Sequence, residues 1–167
     1  MTRDDQNRAP ADGAAVDEAE RAGVDLLLLD QQICFSLSAA SRAFGGVYRT
    51  ALKDLGLTYP QYLVMLVLWE HGELPVKQLG ERLRLDSGTL SPLLKRLEAT
   101  GLVLRARSPQ DERSVIVSLT PAGRDLREPA RAVPRRIGAA AGLPLSDLRT
   151  LRELLNRLTA NLDAAGA

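Results

Sequence analysis

Apolar residues recur at helical spacing from Leu26 to Leu55, in steps of four and three residues that place them on one face of a helix. The members of this stripe are Ile33, Leu37, Ala40, Phe44, Val47, Ala51 and Leu55. Gly45 and Gly46 interrupt it. Each glycine costs about 1 kcal/mol inside a helix, so the pair predicts a kink or a close crossing with another helix.

A second helix is predicted to begin at Thr58, because Thr58 and Gln61 have the spacing of a capping box and Pro60 suits a first turn. It should end near Gly72 and be followed by a short helix from about residue 75 to residue 83. This short helix and the helix that follows it are close together in sequence, which indicates a tight helix pair.

The next helix is predicted to start after Asp86 or Ser87, either of which can cap it, and to end at Gly101. Its inner face carries four leucines, Leu90, Leu93, Leu94 and Leu97. Pro92 removes one backbone donor, but its early position limits the damage to the helix.

Two strand-like runs follow, Leu102–Arg107 and Arg113–Leu119, with a polar turn between them. Thr120 and Pro121 then have the order of a helix cap and a first helical residue. Further along, Pro129 and Pro134 should bend or break that helix, and a leucine stripe predicts a last helix over 145–162.

This order predicts a mainly α protein with a small β-hairpin wing, a winged helix-turn-helix whose N- and C-terminal helices form a dimerisation domain. The expected divisions are a disordered acidic arm over 1–24, an N-terminal dimerisation helix over 25–57, a DNA-binding region over 58–120 and C-terminal dimerisation helices over 121–167. The flanking apolar stripes lack an obvious partner within one chain, and such stripes commonly pair across a two-fold axis.

Composition narrows the class of protein. The 167 residues suit one domain, and the single cysteine, Cys34, excludes an intrachain disulfide and fits a reducing compartment. We find neither an apolar run long enough for a bilayer nor a secretory signal, so we expect a cytoplasmic protein without a membrane partner. The net charge is only +1, yet residues 75–120 hold eight basic and five acidic residues.

This local charge favours double-stranded DNA as a partner, read by a homodimer at a palindromic operator. Small residues at the start of the 87–101 helix would approach base edges and phosphates, basic residues a turn later would bind phosphates, and the hairpin would add further basic contacts. The predicted DNA-binding residues are Ser87, Gly88, Thr89, Ser91, Lys95, Arg96, Arg105, Arg107, Asp111 and Arg113. Among them, Arg113 would enter the minor groove and Asp111 would hold it.

Several segments resemble the MarR family of dimeric winged-helix regulators. They are Leu85–Glu98, similar to its recognition helix, Asp111–Ser114, similar to its wing tip, and Leu119–Gly123. A closer resemblance, to the organic-hydroperoxide-sensing OhrR type, rests on Gln32–Phe35, Leu57–Tyr62, Trp69–His71 and Leu85–Leu90. It covers about residues 26–162 and implies a repressor released by organic hydroperoxides.

The resemblance further implies that Cys34 is the peroxide-reactive thiol and that Tyr48 and Tyr59 form hydrogen bonds to its sulfur. Cys34 and Tyr48 lie 14 residues apart on one predicted helix, about 21 Å if it is straight, but on nearly the same face. A two-fold pairing would therefore set Cys34 of one subunit against Tyr48 of the other. Two-cysteine members of this type form an intersubunit disulfide. Because this chain has one cysteine, its sulfenic acid would instead react with a small cellular thiol, form a sulfenamide or over-oxidise. Some relatives also have a tyrosine where this chain has Ser38.

Three alternatives remain open at this stage. A MarR-type repressor could instead be released by a small aromatic ligand, with Cys34 only packing in the structure. An enzyme would have to use Cys34 with the single histidine, His71, and the sequence offers neither a clustered metal-ligand set nor a phosphate loop. A pure interaction module would use the same fold without DNA. We predict no cofactor, no metal and no catalytic residue.

Overall fold

The computed structural model describes residues 14–109, 111 and 114–166. They fall into two compact units, the first ending at Ala43 and the second beginning at Phe44.

In the first unit, helix α1 spans Ala14–Arg21, so the later part of the predicted acidic arm is helical, while residues 1–13 lie outside the described residues. The apolar stripe predicted from Leu26 becomes helical only at the start of α2, Ile33–Ala51. Before it, the Asp25 carboxylate accepts a hydrogen bond from the backbone N–H of Leu27 at 2.9 Å. Such local bonds offer the backbone an alternative to the helix, and a single turn of 3₁₀-helix, Leu29–Gln31, follows.

The second unit begins with the end of α2, and three further helices follow: α3, Tyr59–His71; α4, Val76–Leu83; and α5, Ser87–Ala99. The predicted start of α3 is confirmed, since Gln61 Oε1 accepts hydrogen bonds from the Thr58 backbone N–H at 2.9 Å and from the Thr58 hydroxyl at 3.0 Å.

The turn between α4 and α5 is tight. Arg84 adopts a left-handed conformation with φ of 53°, and the Leu85 N–H donates to the Gly80 carbonyl at 3.0 Å. A Cβ atom at Gly80 would lie 2.8 Å from the Leu85 carbonyl oxygen, so only glycine fits where the two helices turn.

The sheet has three antiparallel strands, β1, Leu74–Pro75; β2, Val103–Arg107; and β3, Val115–Leu119, in the order β1-β3-β2. The β2–β3 hairpin confirms the two predicted strands, with Val103 opposite Leu119. Strand β1 was not predicted, because two residues are too short to show an alternating pattern.

After the hairpin come α6, Pro121–Asp125; α7, Arg127–Ala130; α8, Ala132–Ala141; and α9, Leu145–Ala165. The Thr120 hydroxyl caps α6 by accepting the Gly123 N–H at 3.0 Å. The predicted breaks are present, and Pro129 and Pro134 each lie in the first turn of a short helix, where the missing N–H does least harm.

The core of the second unit joins these helices to the sheet. Its most deeply buried side chains are Leu52, Val64, Met65, Leu68, Leu79, Leu90, Leu94, Leu97, Val103, Val117 and Val133. Helix α5 therefore packs its leucine face inward and leaves its polar face exposed. The fold is a winged helix-turn-helix, mainly helical with a small antiparallel wing.

Candidate functional site

The start of α5 is fixed by its cap. Asp86 Oδ1 accepts the backbone N–H of Thr89 at 2.8 Å, and Asp86 Oδ2 accepts the Thr89 hydroxyl at 2.9 Å. These two bonds, the backbone one foremost, hold the pKa of the Asp86 carboxyl below its ordinary value. The first turn is thereby held in one conformation.

The structure places all six residues predicted on this helix on its exposed side, namely Ser87, Gly88, Thr89, Ser91, Lys95 and Arg96. They lie opposite the four buried leucines. Small residues at the N-terminal turn leave the helix end open, and two cations follow one turn later. This arrangement suits insertion of the helix end into the major groove.

The wing presents a second part of the predicted surface. Arg107 is exposed at the end of β2, and the turn beyond it is closed by two main-chain hydrogen bonds of 2.8 Å, from Ser108 N–H to the Ser114 carbonyl and from Ser114 N–H to the Asp111 carbonyl. Asp111 is exposed in this turn. Arg113 lies outside the described residues, so its predicted pairing with Asp111 stays a prediction.

Arg105 is placed differently from its predicted neighbours. Its guanidinium Nε and Nη2 donate to Glu98 Oε2 at 2.9 Å and 2.6 Å. Both side chains are about one third exposed or less. The DNA contact predicted for Arg105 therefore competes with an ion pair inside the same chain, which its spacing from Glu98 did not reveal.

The two predicted tyrosines come together. The rings of Tyr48, on α2, and Tyr59, on α3, have centroids 4.4 Å apart, and Tyr62 lies 6.2 Å from Tyr48. Burial foremost, and then the neighbouring tyrosines, raise the pKa of Tyr48, and burial and Tyr59 raise that of Tyr62. Both phenols therefore stay protonated at neutral pH and remain hydrogen-bond donors. The sequence analysis missed Tyr62, although its spacing of three from Tyr59 on a helix signals a shared face.

Cys34 is a free, exposed cysteine in the first turn of α2. The N-terminus of a helix carries partial positive charge, and reactive cysteines occur in such electropositive, partly exposed surroundings. The arrangement can present a nucleophilic sulfur to a solvent-borne oxidant.

No group of three or more His, Cys, Asp or Glu side chains in the part of the chain that the structure describes could hold a metal ion. Within that same part, every helix is too short or too polar to cross a membrane.

Comparisons with known proteins agree with this geometry. The family model described as transcriptional regulator SarA/Rot matches residues 46–128. The regulator TtmR of Methylorubrum extorquens is 51% identical over 136 residues, which are 81% of this chain and 70% of TtmR.

Two further relatives carry more functional information. The organic hydroperoxide resistance transcriptional regulator of Bacillus subtilis is 47% identical over 138 residues, 83% of this chain and 94% of the relative. The solved structure of reduced AbfR, a protein of Staphylococcus epidermidis, bound to DNA is 36% identical, with a TM-score of 0.69, and the match covers 89% of this chain and 98% of AbfR. The chain belongs to the MarR/SarA family of winged helix-turn-helix transcription regulators, which are DNA-binding proteins and not enzymes.

Proposed function

We propose that this regulator is a repressor that binds a palindromic operator as a homodimer and releases it when organic hydroperoxides oxidise Cys34. The observation that carries the proposal is the exposed thiol in the first turn of α2, in a chain 47% identical to an organic hydroperoxide resistance regulator. The same identity supports action in the cytoplasm.

The proposed DNA contacts follow from the two exposed surfaces. Ser87, Gly88, Thr89 and Ser91 meet base edges and phosphates, while Lys95, Arg96 and Arg107 neutralise phosphates. The wing tip, with Asp111 orienting Arg113, extends the contact into the adjacent minor groove. Two such surfaces related by a two-fold axis would read two half-sites about one helical turn apart, roughly 34 Å.

Exposed apolar surface supports the dimer. On α9, Leu145 is 64% and Leu162 is 62% exposed, and Leu151 and Leu154 are exposed as well. Beyond the neighbouring backbone of its own helix, a Cβ atom on Gly45 or Gly46 would meet no atom of the described residues within 4 Å. Because the glycine pair has no close neighbour among these residues, we assign the predicted close crossing to a helix of the second subunit.

The proposed chemistry begins with the Cys34 thiolate. Its sulfur attacks the terminal oxygen of the hydroperoxide, the O–O bond breaks, and the alkoxide leaves and takes up a proton as an alcohol. The sulfur loses two electrons and becomes a sulfenic acid, while the hydroperoxide is reduced. A small cellular thiol then forms a mixed disulfide with the sulfur and releases water.

The tyrosines supply the proposed hydrogen bonds. The hydroxyl groups of Tyr48 and Tyr59 of the other subunit donate hydrogen bonds to the sulfur and favour its thiolate form. Both phenols lie in one aromatic cluster, so the pair can act on a single atom. A bulky adduct at this junction would separate the cluster from the sulfur and shift the spacing of the two recognition helices.

The test compares the wild-type protein with Cys34→Ser on a duplex selected by the wild type from a random library. We expect cumene hydroperoxide with a small thiol to release wild-type protein and to leave Cys34→Ser bound. Mass spectrometry of wild-type Cys34 should show the adduct in step with release. Equal release of both proteins would reject the thiol mechanism and leave the DNA-binding role untouched.

A second candidate function rests on a cleft of about 700 Å³ between α3 and α7–α8, whose lining includes two aromatic rings, two arginines and one carboxylate, from Tyr62, Trp69, Arg127, Arg131 and Glu70. This chemistry fits a small aromatic anion. Release of Cys34→Ser from the duplex by salicylate, without peroxide, would favour a ligand-responsive repressor in which Cys34 is structural.

A further inference from the structure

Glu98 lies in the last turn of α5 and holds Arg105 of strand β2 through both of its carboxylate oxygens. Oε2 accepts the two guanidinium donors described above, and Oε1 accepts the backbone N–H of Arg105 at 3.2 Å. One carboxylate therefore binds both the side chain and the main chain of the same residue. The contact therefore neutralises the guanidinium charge and also holds the backbone of the strand in place.

The position of β2 in the sheet explains the hydrogen bond from the Arg105 backbone N–H to Glu98. Strand β2 is at the edge of the order β1-β3-β2, so one side of it has no strand neighbour among the described residues. The Arg105 N–H that points to that side needs an acceptor. Glu98 provides it, and the end of α5 thereby takes the place of a further strand.

The charge of Glu98 is unfavourable where it stands, because the C-terminal end of a helix carries partial negative charge. Arg105 offsets this, and the hydrogen bond from its side chain is the first cause that holds the pKa of Glu98 below its ordinary value. The carboxylate is thus charged at neutral pH, close to a surface that has to approach DNA phosphates.

We propose that Glu98 and Arg105 are positioning residues for DNA binding: the pair fixes the angle between the recognition helix and the wing. The polar residues that line the cleft between these elements are Lys77, Ser91, Arg105, Asp111 and Ser114. Its width sets whether helix and wing reach the major groove and the adjacent backbone together. This inference uses the DNA binding of the family and does not depend on the peroxide response.

A positioning role and simple electrostatics predict opposite changes in DNA affinity when Glu98 loses its charge. Removing a negative charge beside DNA should tighten binding on electrostatic grounds alone. If Glu98 instead orients the wing, Glu98→Gln should weaken binding to the selected duplex by about tenfold, the scale of one charge-assisted hydrogen bond. Binding to random-sequence DNA should be as tight as that of the wild type or tighter, because it depends on charge and not on register.

The matched control is Glu81→Gln, which removes the same charge from the neighbouring helix α4 and should bind the duplex as tightly as wild type or more tightly. Arg105→Lys keeps the positive charge but lacks the planar fork, so it should lose about as much as Glu98→Gln. The double variant should be no weaker than either single one. Circular dichroism at the assay temperature shows which variants are folded.

Two results would overturn the proposal. One is equal or tighter binding by folded Glu98→Gln. The other concerns the slope of log Kd against log salt concentration, which falls by about 0.9 for each phosphate contact that is lost. A slope reduced by that amount in Arg105→Gln but not in Glu98→Gln would show that the guanidinium itself binds a phosphate, whereas a positioning role changes the slope equally in both variants.

Discussion

The indole Nε1 of Trp69 donates a hydrogen bond to the carbonyl oxygen of Gly123, 54 residues further along the chain, at 2.8 Å. It joins α3 to the first turn of α6, directly after the wing. The indole also packs against the ring of Tyr62, at a centroid distance of 6.3 Å and an interplanar angle of 68°. The tyrosine cluster and the end of the wing are therefore both in contact with one side chain.

Trp69→Phe should lower the free energy of unfolding by about 1 to 2 kcal/mol, because the Gly123 carbonyl loses its donor while most of the ring packing remains. Urea denaturation followed by circular dichroism is the measurement, since the variant lacks the only tryptophan. An unchanged midpoint and slope would mean that solvent replaces the indole without cost.

Gly123→Ala should destabilise the protein by about 3 kcal/mol or more through overpacking. A Cβ atom there would lie 2.0 Å from the Leu102 carbonyl oxygen. Gly138→Ala is the matched control inside α8, where a Cβ atom would meet no described atom within 4 Å. The control should gain about 0.5 to 1 kcal/mol. Thermal unfolding of both variants tests the opposite signs, and two changes of the same sign would contradict the packing account.

Asp86→Asn should flatten the acid limb of the stability curve. The folded-state pKa of Asp86 is lowered, so its contribution is fully present above the ordinary value of 3.8 and is lost as the pH falls through the lower, folded-state value. Asparagine also caps helices well, so the two proteins should differ little at pH 7. Urea midpoints between pH 2 and pH 7 provide the measurement, and parallel curves would exclude Asp86 as a contributor.

Tyr59→Phe should slow the reaction of Cys34 with cumene hydroperoxide by about tenfold if its hydroxyl stabilises the thiolate in the proposed dimer. Tyr62→Phe is the control, because Tyr62 shares the aromatic cluster but is 3% exposed, against 42% for Tyr59. The rate is followed by the disappearance of free thiol. Equal slowing by both substitutions would indicate a general packing effect in place of a specific donor.

Local signals in the sequence predicted most of the fold. The Thr58 and Thr120 caps, the glycine after α5 and the alternating runs of the hairpin are each set by neighbours a few residues away. For the same reason, the exposed side of α5 followed directly from its leucine pattern. Tyr48 and Tyr59 were singled out by the family resemblance, as hydrogen-bond partners of Cys34, since spacing alone cannot bring two helices together.

The departures have a common physical origin in contacts that a periodic pattern does not encode. The stripe from Leu26 looked helical, but the Asp25 side chain captures the backbone there. Strand β1 exists only because β3 pairs with Leu74 and Pro75. Arg105 was predicted to contact DNA because its charge is visible in the sequence. The carboxylate that faces it, that of Glu98, lies on another element, α5.

The strand order also determines when the sheet can form during translation. Strand β3 is the middle strand but the last one to be made, and both β1 and β2 bond to it and not to each other. When α4 and α5 have been synthesised, the sheet that carries the wing is therefore still incomplete. The wing should therefore form in one late step, once Leu119 has left the exit tunnel, and before the C-terminal helices of the proposed dimer have been made.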